Sequence, residues 1–133
     1  MSTTSPLEAR EVLVVDDDED LSFSLALSLE LAGYAVRTAA TGEEALAEVV
    51  DRDPDVIILD VRLPGMDGWE VLRRLGETGR FPRIPVVVVS ASVDPVTAAK
   101  ATEMGCHAHL PKPFSSADLN RTVQAVLTGT APR

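Results

Sequence analysis

The sequence predicts an α/β fold: a doubly wound sheet of five parallel strands with helices on both faces. Three observations predict it. Runs of valine, isoleucine and leucine recur at Val12–Val15, Val56–Leu59 and Val86–Val89. They do not alternate with polar residues, which suits strands buried on both faces. Helix-start signals fall between these runs, and strand and helix patterns then alternate five times, the order expected of a parallel sheet.

Val12–Val15 is the first strand. Glu19–Ala32 follows and is read as a helix, although Leu21, Phe23, Leu25, Leu27, Leu29 and Leu31 alternate with period two. The stretch is long for a strand, holds no β-branched residue and ends at Gly33. Its alternate leucines are expected to form a wide apolar arc packed on the sheet. A weaker strand is placed at Tyr34–Thr38. Thr41-Gly42-Glu43-Glu44 reads as a capping box opening a helix to about Val50. After the strand Val56–Leu59, Asp67-Gly68-Trp69-Glu70 opens a helix to about Leu75 in the same way. Val86–Val89 is the fourth strand. Asp94-Pro95 then sets a cap residue before a proline at the first helical position, and Gly105 ends that helix. A fifth strand, His107–Leu110, leads to Ser115-Ser116-Ala117-Asp118, which opens a last helix to about Leu127 with Gly129 as its stop.

The chain has 133 residues, enough for one domain with a real core. It is read as a single unit over residues 10–128 with short flexible tails at 1–9 and 129–133. The net charge of -9 argues against direct nucleic-acid binding and against anionic membranes. The longest uncharged apolar stretches, Leu21–Leu29 and Ile84–Val93, are too short to span a bilayer. Met1–Pro6 lacks the basic and apolar regions of a secretory signal. Cys106 is the single cysteine, so no intrachain disulfide can form, which fits a reducing compartment. The expected location is cytoplasmic.

In an open α/β sheet, ligands bind beyond the carboxyl ends of the strands where the strand order reverses. The first strand ends in Asp16 and Asp17, the third in Asp60 and the fourth in Ser90, and the fifth runs into Lys112. The second ends in Thr38-Ala39-Ala40 and offers nothing. In the spatial order 2-1-3-4-5 the four equipped strands are contiguous, and their polar ends converge. Three carboxylates in one cleft repel one another. A hard divalent cation relieves that repulsion and prefers oxygen ligands, and Mg2+ leaves room for a phosphate oxygen. A serine hydroxyl and a lysine ammonium suit phosphoryl oxygens. A carboxylate beside them can attack phosphorus to give an aspartyl phosphate.

These pieces resemble the CheY-like receiver domains of two-component response regulators. The matching stretches are Val12-Leu13-Val14-Val15-Asp16-Asp17, Asp55-Val56-Ile57-Ile58-Leu59-Asp60 and Leu63-Pro64-Gly65-Met66-Asp67-Gly68. Pro85-Val86-Val87-Val88-Val89-Ser90-Ala91 and Leu110-Pro111-Lys112-Pro113-Phe114 follow in the same order. The resemblance covers Glu11 to about Leu127. It implies a flavodoxin-like (βα)5 fold and a phosphoacceptor at Asp60. It implies Mg2+ held directly by Asp17 and Asp60, by Asp16 mostly through water, and by the backbone carbonyl of Arg62. Ser90 and Lys112 would hold the phosphoryl group. Ser90 and His109 would form the switch that alters the face made by the fourth helix, fifth strand and fifth helix. The Lys112–Pro113 bond is often cis in that family. The reorienting position is usually aromatic there, and here it is His109, which reads equally as a packed residue. Arg62 and Ser92, each two residues beyond a site residue, are positions that tune the lifetime of the acyl phosphate.

Implied partners are a sensor histidine kinase or phosphotransfer protein as donor and a downstream protein as receiver of the signal. The unit would be a monomer or a phosphorylation-dependent dimer. It would catalyse its own phosphotransfer and a slow autodephosphorylation without being a conventional enzyme. Two other readings stand beside this one. Asp16-Asp17-Asp18 after a strand superficially fits a Mg2+-dependent phosphatase of the haloacid dehalogenase type, although the chain has no cap domain or late second acidic pair. An unphosphorylated docking scaffold is the third, against which stands the intact set Asp17, Asp60, Ser90 and Lys112. Asp18, Glu19 and Asp20 are read as charge at a helix N-terminus. Cys106 and His107 are read as structural residues, and Trp69 as packing in or beside the third helix.

Overall fold

Val12–Val15, Val56–Leu59 and Val86–Val89 lie at the centre of the molecule with almost no exposed surface. Each run is apolar on both sides of its strand, so burial is favourable only between two helical layers. The computed structural model of the chain describes residues 10–91 and 95–129. The tails expected at 1–9 and beyond Gly129, the Asp94 cap and Ser92 fall outside those residues. The elements run β1 (Glu11–Val15), α1 (Glu19–Leu31), β2 (Ala35–Ala39), α2 (Gly42–Asp51), β3 (Val56–Asp60), α3 (Gly68–Glu77), β4 (Val86–Ser90), α4 (Pro95–Met104), β5 (Ala108–Pro111) and α5 (Ser116–Thr128). The sheet has the order β2-β1-β3-β4-β5, with every pair parallel.

The pleat sorts the strand residues onto two faces. Leu13, Val15, Ile57, Leu59, Val86 and Val88 pack with Val49 of α2, Val71, Leu72 and Leu75 of α3, and Ala101 of α4. Val12, Val14, Val56, Ile58, Val87 and Val89 pack with Leu25 and Leu29 of α1 and with Leu119, Val123 and Val126 of α5. The chain moves outward from β1 to β2 and then returns to place β3 on the other side of β1. That reversal opens the crevice beyond the carboxyl ends of β1 and β3.

Helix starts follow the expected chemistry with one refinement. The side chains of Asp18, Thr41, Asp67 and Ser115 each accept a backbone N–H three residues on, satisfying a donor the helix cannot. Among the described residues only Ser115 and Asp118 form a reciprocal box. Glu44 accepts from the Ala40 N–H instead, and Glu70 is held by Arg73 and Arg74. Thr41 and Asp67 therefore cap without the return bond expected of them. Gly105 and Gly129 end α4 and α5 at φ of +98° and +78°, the left-handed conformation that favours glycine.

Helix α1 corrects the expectation of one wide apolar arc. Leu25 and Leu29 are buried, yet Phe23, Leu27 and Leu31 are 72%, 47% and 81% exposed. Residues two apart lie about 200° around a helix, so a period-two pattern divides into two opposed stripes. The Leu21, Leu25, Leu29 stripe faces the sheet, and the other faces outward. Strands β2 and β5 start one residue later than expected because pairing decides their limits: Ala35 is opposite Glu11, and Ala108 is opposite Val87. Among the described residues no helix is long and apolar enough to cross a membrane.

Candidate functional site

Strand ends bring the polar residues together. Asp16 and Asp17 follow β1 directly, Asp60 and Ser90 are the last residues of β3 and β4, and Lys112 follows β5. Asp16, Asp17 and Asp60 each offer a carboxylate oxygen, and these oxygens all lie within 4.8 Å of one another. Asp16 and Asp60 are only 4% and 6% exposed, whereas Asp17 stands at the exposed rim. Lys112 reaches across with Nζ 3.0 Å from Asp16 Oδ2 and 3.1 Å from Asp60 Oδ2. Its own N–H donates to the Ser90 carbonyl at 2.7 Å, which ties its backbone to the end of β4. The Lys112–Pro113 peptide is cis.

The buried carboxylates are well supplied with donors. Asp16 Oδ1 accepts from the Asp18 N–H at 2.9 Å and Oδ2 from Lys112. Asp60 Oδ1 accepts from the Arg62 N–H at 2.8 Å and Oδ2 from Lys112. Burial nevertheless raises the Asp60 carboxyl above its ordinary range. The Arg62 N–H and the Lys112 ammonium pull it down without cancelling that effect, and the Asp16 charge adds to the rise. For Lys112, burial alone would lower the ammonium. Its hydrogen bonds to Asp16 and Asp60 outweigh burial and hold it above its usual value, so it remains a cation.

One ammonium thus faces two buried carboxylates and a third at the rim. Among the described residues the cleft carries surplus negative charge over its one paired cation. Its donors are all carboxylate oxygens, with no histidine or cysteine among them. Such a set fits a hard divalent cation of the Mg2+ class and does not fit a soft metal. The carbonyl of Arg62 lies on the loop that follows Asp60, whose N–H already closes onto that carboxylate.

Ser90 is 3% exposed, and its hydroxyl shares a hydrogen bond with His109 Nε2 at 2.9 Å. The register accounts for the meeting. His109 lies opposite Val88 on β5, and Ser90 is two residues beyond Val88 on the same face, so the two side chains are diagonal neighbours. Burial lowers the His109 imidazole below its ordinary value. His109 is thus in direct contact with Ser90.

Two supporting residues were not read from the sequence. Gly68 opens α3 against the loop below Asp60: a Cβ there would come within 2.6 Å of Val61 Cα and 2.8 Å of the Asp60 carbonyl oxygen. The Asp67-Gly68 pair signals a helix start, and nothing in it announces this close approach. Ser22 on α1 is buried and donates its hydroxyl to the Asp16 carbonyl at 3.2 Å; a lone serine in a helix carries no such signal. Outside the cleft, burial pushes the Cys106 thiol up to about 12, which leaves it unreactive. Trp69, in the first turn of α3, packs partly into the core with Lys100 Nζ 4.9 Å above its ring centroid.

Residues 12–124 match the family described as response regulator receiver domain. The phosphate regulon transcriptional regulatory protein PhoB of Pseudomonas aeruginosa is 36% identical over 123 residues, covering 92% of this chain and 54% of that protein. Response regulator MprA of Mycobacterium avium is 38% identical over 121 residues, with 91% and 52% covered. The chain spans about half the length of these curated relatives. Among solved structures, the chemotaxis protein CheY4 of Vibrio cholerae superposes with a TM-score of 0.83 at 33% identity, covering 89% of this chain and 98% of that one. NtrX of Brucella abortus superposes with a TM-score of 0.85 at 32% identity, covering 92% of this chain and 28% of that one.

Proposed function

The chain belongs to the response regulator receiver domain family, and from that premise we propose that residues 10–128 accept a phosphoryl group on Asp60 and use it to change protein partners. The observation that carries the proposal is the shared position of Lys112 between Asp16 and Asp60, beside a third carboxylate at the rim of the same cleft.

The receiver-domain family and this geometry together support the following roles. Asp60 is the nucleophile: its carboxylate attacks phosphorus as the bond from phosphorus to the donor group breaks. The donor is a phosphohistidine on a kinase or phosphotransfer protein; its imidazole leaves with the electron pair of the P–N bond and takes a proton from solvent. Asp17 at the rim, Asp60 and the Arg62 carbonyl would hold the cation directly. Both oxygens of Asp16 are engaged by protein donors, which suits a carboxylate that reaches the cation through water. Bound Mg2+ supplies charge neutralisation for the phosphoryl oxygens. Lys112 leaves its two carboxylates to hold a phosphoryl oxygen, and Ser90 binds another. Catalysis is positioning and charge compensation. The same groups allow a slow autodephosphorylation that the Arg62 side chain tunes at the mouth of the site. Phosphorylation alters the surface of α4, β5 and α5 through Ser90 and His109, and a downstream protein or a second copy of the chain reads that surface. With a net charge of -9, direct contact with nucleic acid or a membrane is not part of the proposal, and the cytoplasm is its setting.

The test is acetyl-phosphate labelling of the intact protein followed by mass spectrometry, with and without Mg2+. A single Mg2+-dependent phosphoryl adduct, absent in Asp60→Asn, is the expected result. A folded protein that takes no adduct from acetyl phosphate, phosphoramidate or a phosphorylated kinase overturns the proposal, as does undiminished labelling of the variant.

A further inference from the structure

Five large apolar side chains are exposed among the described residues, and three of them, Phe23, Leu27 and Leu31, share one stripe of α1. Val50 and Val96 stand apart on α2 and α4. The stripe members are four residues apart and line up along about 12 Å of helix. No charged residue occurs between Asp20 and Glu30. Adjoining apolar side chains held in water mark a contact surface.

The charges at its two ends point to the occupant. Asp20 lies three residues before Phe23, on the same face of the helix. Tyr34 and Arg10 stand at the opposite end. There the Ala35 N–H donates to the Arg10 carbonyl at 2.9 Å. Burial raises the Tyr34 hydroxyl, and Arg10 is near enough for its charge to oppose that rise. Asp20 and Arg10 are both exposed, and neither has an ion-pair partner among the described residues. The chain thus carries an unpaired anion at one end of the stripe and an unpaired cation at the other. We propose that two copies of the chain pair through this stripe, antiparallel about a two-fold axis at Leu27, with Asp20 of each copy facing Arg10 of the other.

Symmetry selects that arrangement. A two-fold contact sets one patch against itself. With Leu27 on Leu27 of the second copy, antiparallel helices set Phe23 on Leu31 and carry Asp20 to the end that holds Tyr34 and Arg10. Glu30 then falls opposite Ser24, a neutral hydroxyl. Parallel helices would set Asp20 on Asp20 and Glu30 on Glu30, with no cation between them. The small side chains of Ser24 and Ser28 beside the stripe let the two helices approach closely.

The contact is modest. Helix α1 has 13 residues, a length of about 20 Å. One helix face per copy lies at the low end of specific interfaces, about 1,200 Å². The pair is therefore a weak dimer with a dissociation constant on the order of 100 µM. None of its residues lies in the Asp60 cleft, so pairing does not wait for phosphorylation. In this it differs from the surface of α4, β5 and α5.

The test is sedimentation equilibrium of the whole unphosphorylated chain, from about tenfold below to about tenfold above that constant. The wild type should pass from monomer to dimer across the range. Leu27→Asp, at an exposed position, should remain a monomer while its circular dichroism matches the wild type. Asp20→Arg alone sets cations together at both ends and should weaken pairing about fivefold, the effect of two exposed ion pairs. Asp20→Arg combined with Arg10→Asp restores opposite charges and should return to within about twofold of the wild type. A chain that is monomeric throughout overturns the inference and leaves the stripe to a different protein. A dimer indifferent to Leu27→Asp, or a double exchange no tighter than Asp20→Arg alone, overturns it as well. Asp60→Asn should pair like the wild type, so a failure of phosphate labelling and a failure of pairing are separate results.

Discussion

Lys112 Nζ lies 3.1 Å from Asp60 Oδ2, a contact made across 52 residues of sequence because β5 and β3 end at the same edge of the sheet. The same ammonium is 3.0 Å from Asp16. One lysine thus balances two buried acids, and the cleft is organised around that shortage of positive charge.

Replacing Lys112 should be costly without a divalent cation and much less so with one. Lys112→Ala leaves the Asp16 and Asp60 carboxylates buried without their ammonium. Thermal or urea unfolding should show a loss of about 1–3 kcal/mol at neutral pH in the presence of a chelator. Mg2+ at saturating concentration should restore part of the loss, because binding to the folded state alone adds stability by mass action. An equal loss with and without Mg2+ would mean that the cation does not enter this cleft.

The pH dependence of Asp60 has a definite sign. Its folded value is raised above the ordinary 3.8, with burial as the main cause. The folded state therefore holds this proton more tightly than the unfolded state. The contribution of Asp60 to stability is greatest below 3.8 and falls as pH rises through the window from 3.8 to the folded value. At neutral pH in chelator the charged group is a net cost, so Asp60→Asn should raise Tm. Melting curves of the two proteins should converge at low pH and separate as pH rises. A gap that widens toward low pH would reverse the sign and refute the assignment.

Gly68 should tolerate no side chain. A Cβ at this position meets the backbone of Val61 at 2.6 Å and of Asp60 at 2.8 Å, and backbone cannot move aside as a flexible side-chain tip can. Gly68→Ala should cost about 1–3 kcal/mol despite the better helix propensity of alanine. It should also weaken Mg2+ binding, because the displaced loop carries the Arg62 carbonyl. Gly76→Ala is the control: it lies in the same helix, and the nearest contact of its added Cβ is 3.8 Å away. A variant at Gly68 as stable as that control would show that the loop yields freely.

Much of this molecule follows from local pattern. The buried strands needed only unbroken runs of valine, isoleucine and leucine, since such runs are soluble only when both faces are covered. Thr41, Asp67 and Ser115 reveal helix starts because a cap acts on donors within three residues. Asp16, Asp17, Asp60, Ser90 and Lys112 could be placed at one edge of the sheet because alternation fixes a parallel sheet, and a parallel sheet gathers its strand ends there. What remained for tertiary structure was whatever depends on two surfaces meeting. The outward stripe of α1, Phe23, Leu27 and Leu31, is chemically like the inward one; only the docking of the helix on the sheet distinguishes them. The sharing of Lys112 between two acids and the bond between Ser90 and His109 are distances between residues on different strands, and the closeness of Gly68 to Asp60 depends on how one loop folds back. Composition and period cannot encode such distances, because they are set by register and packing.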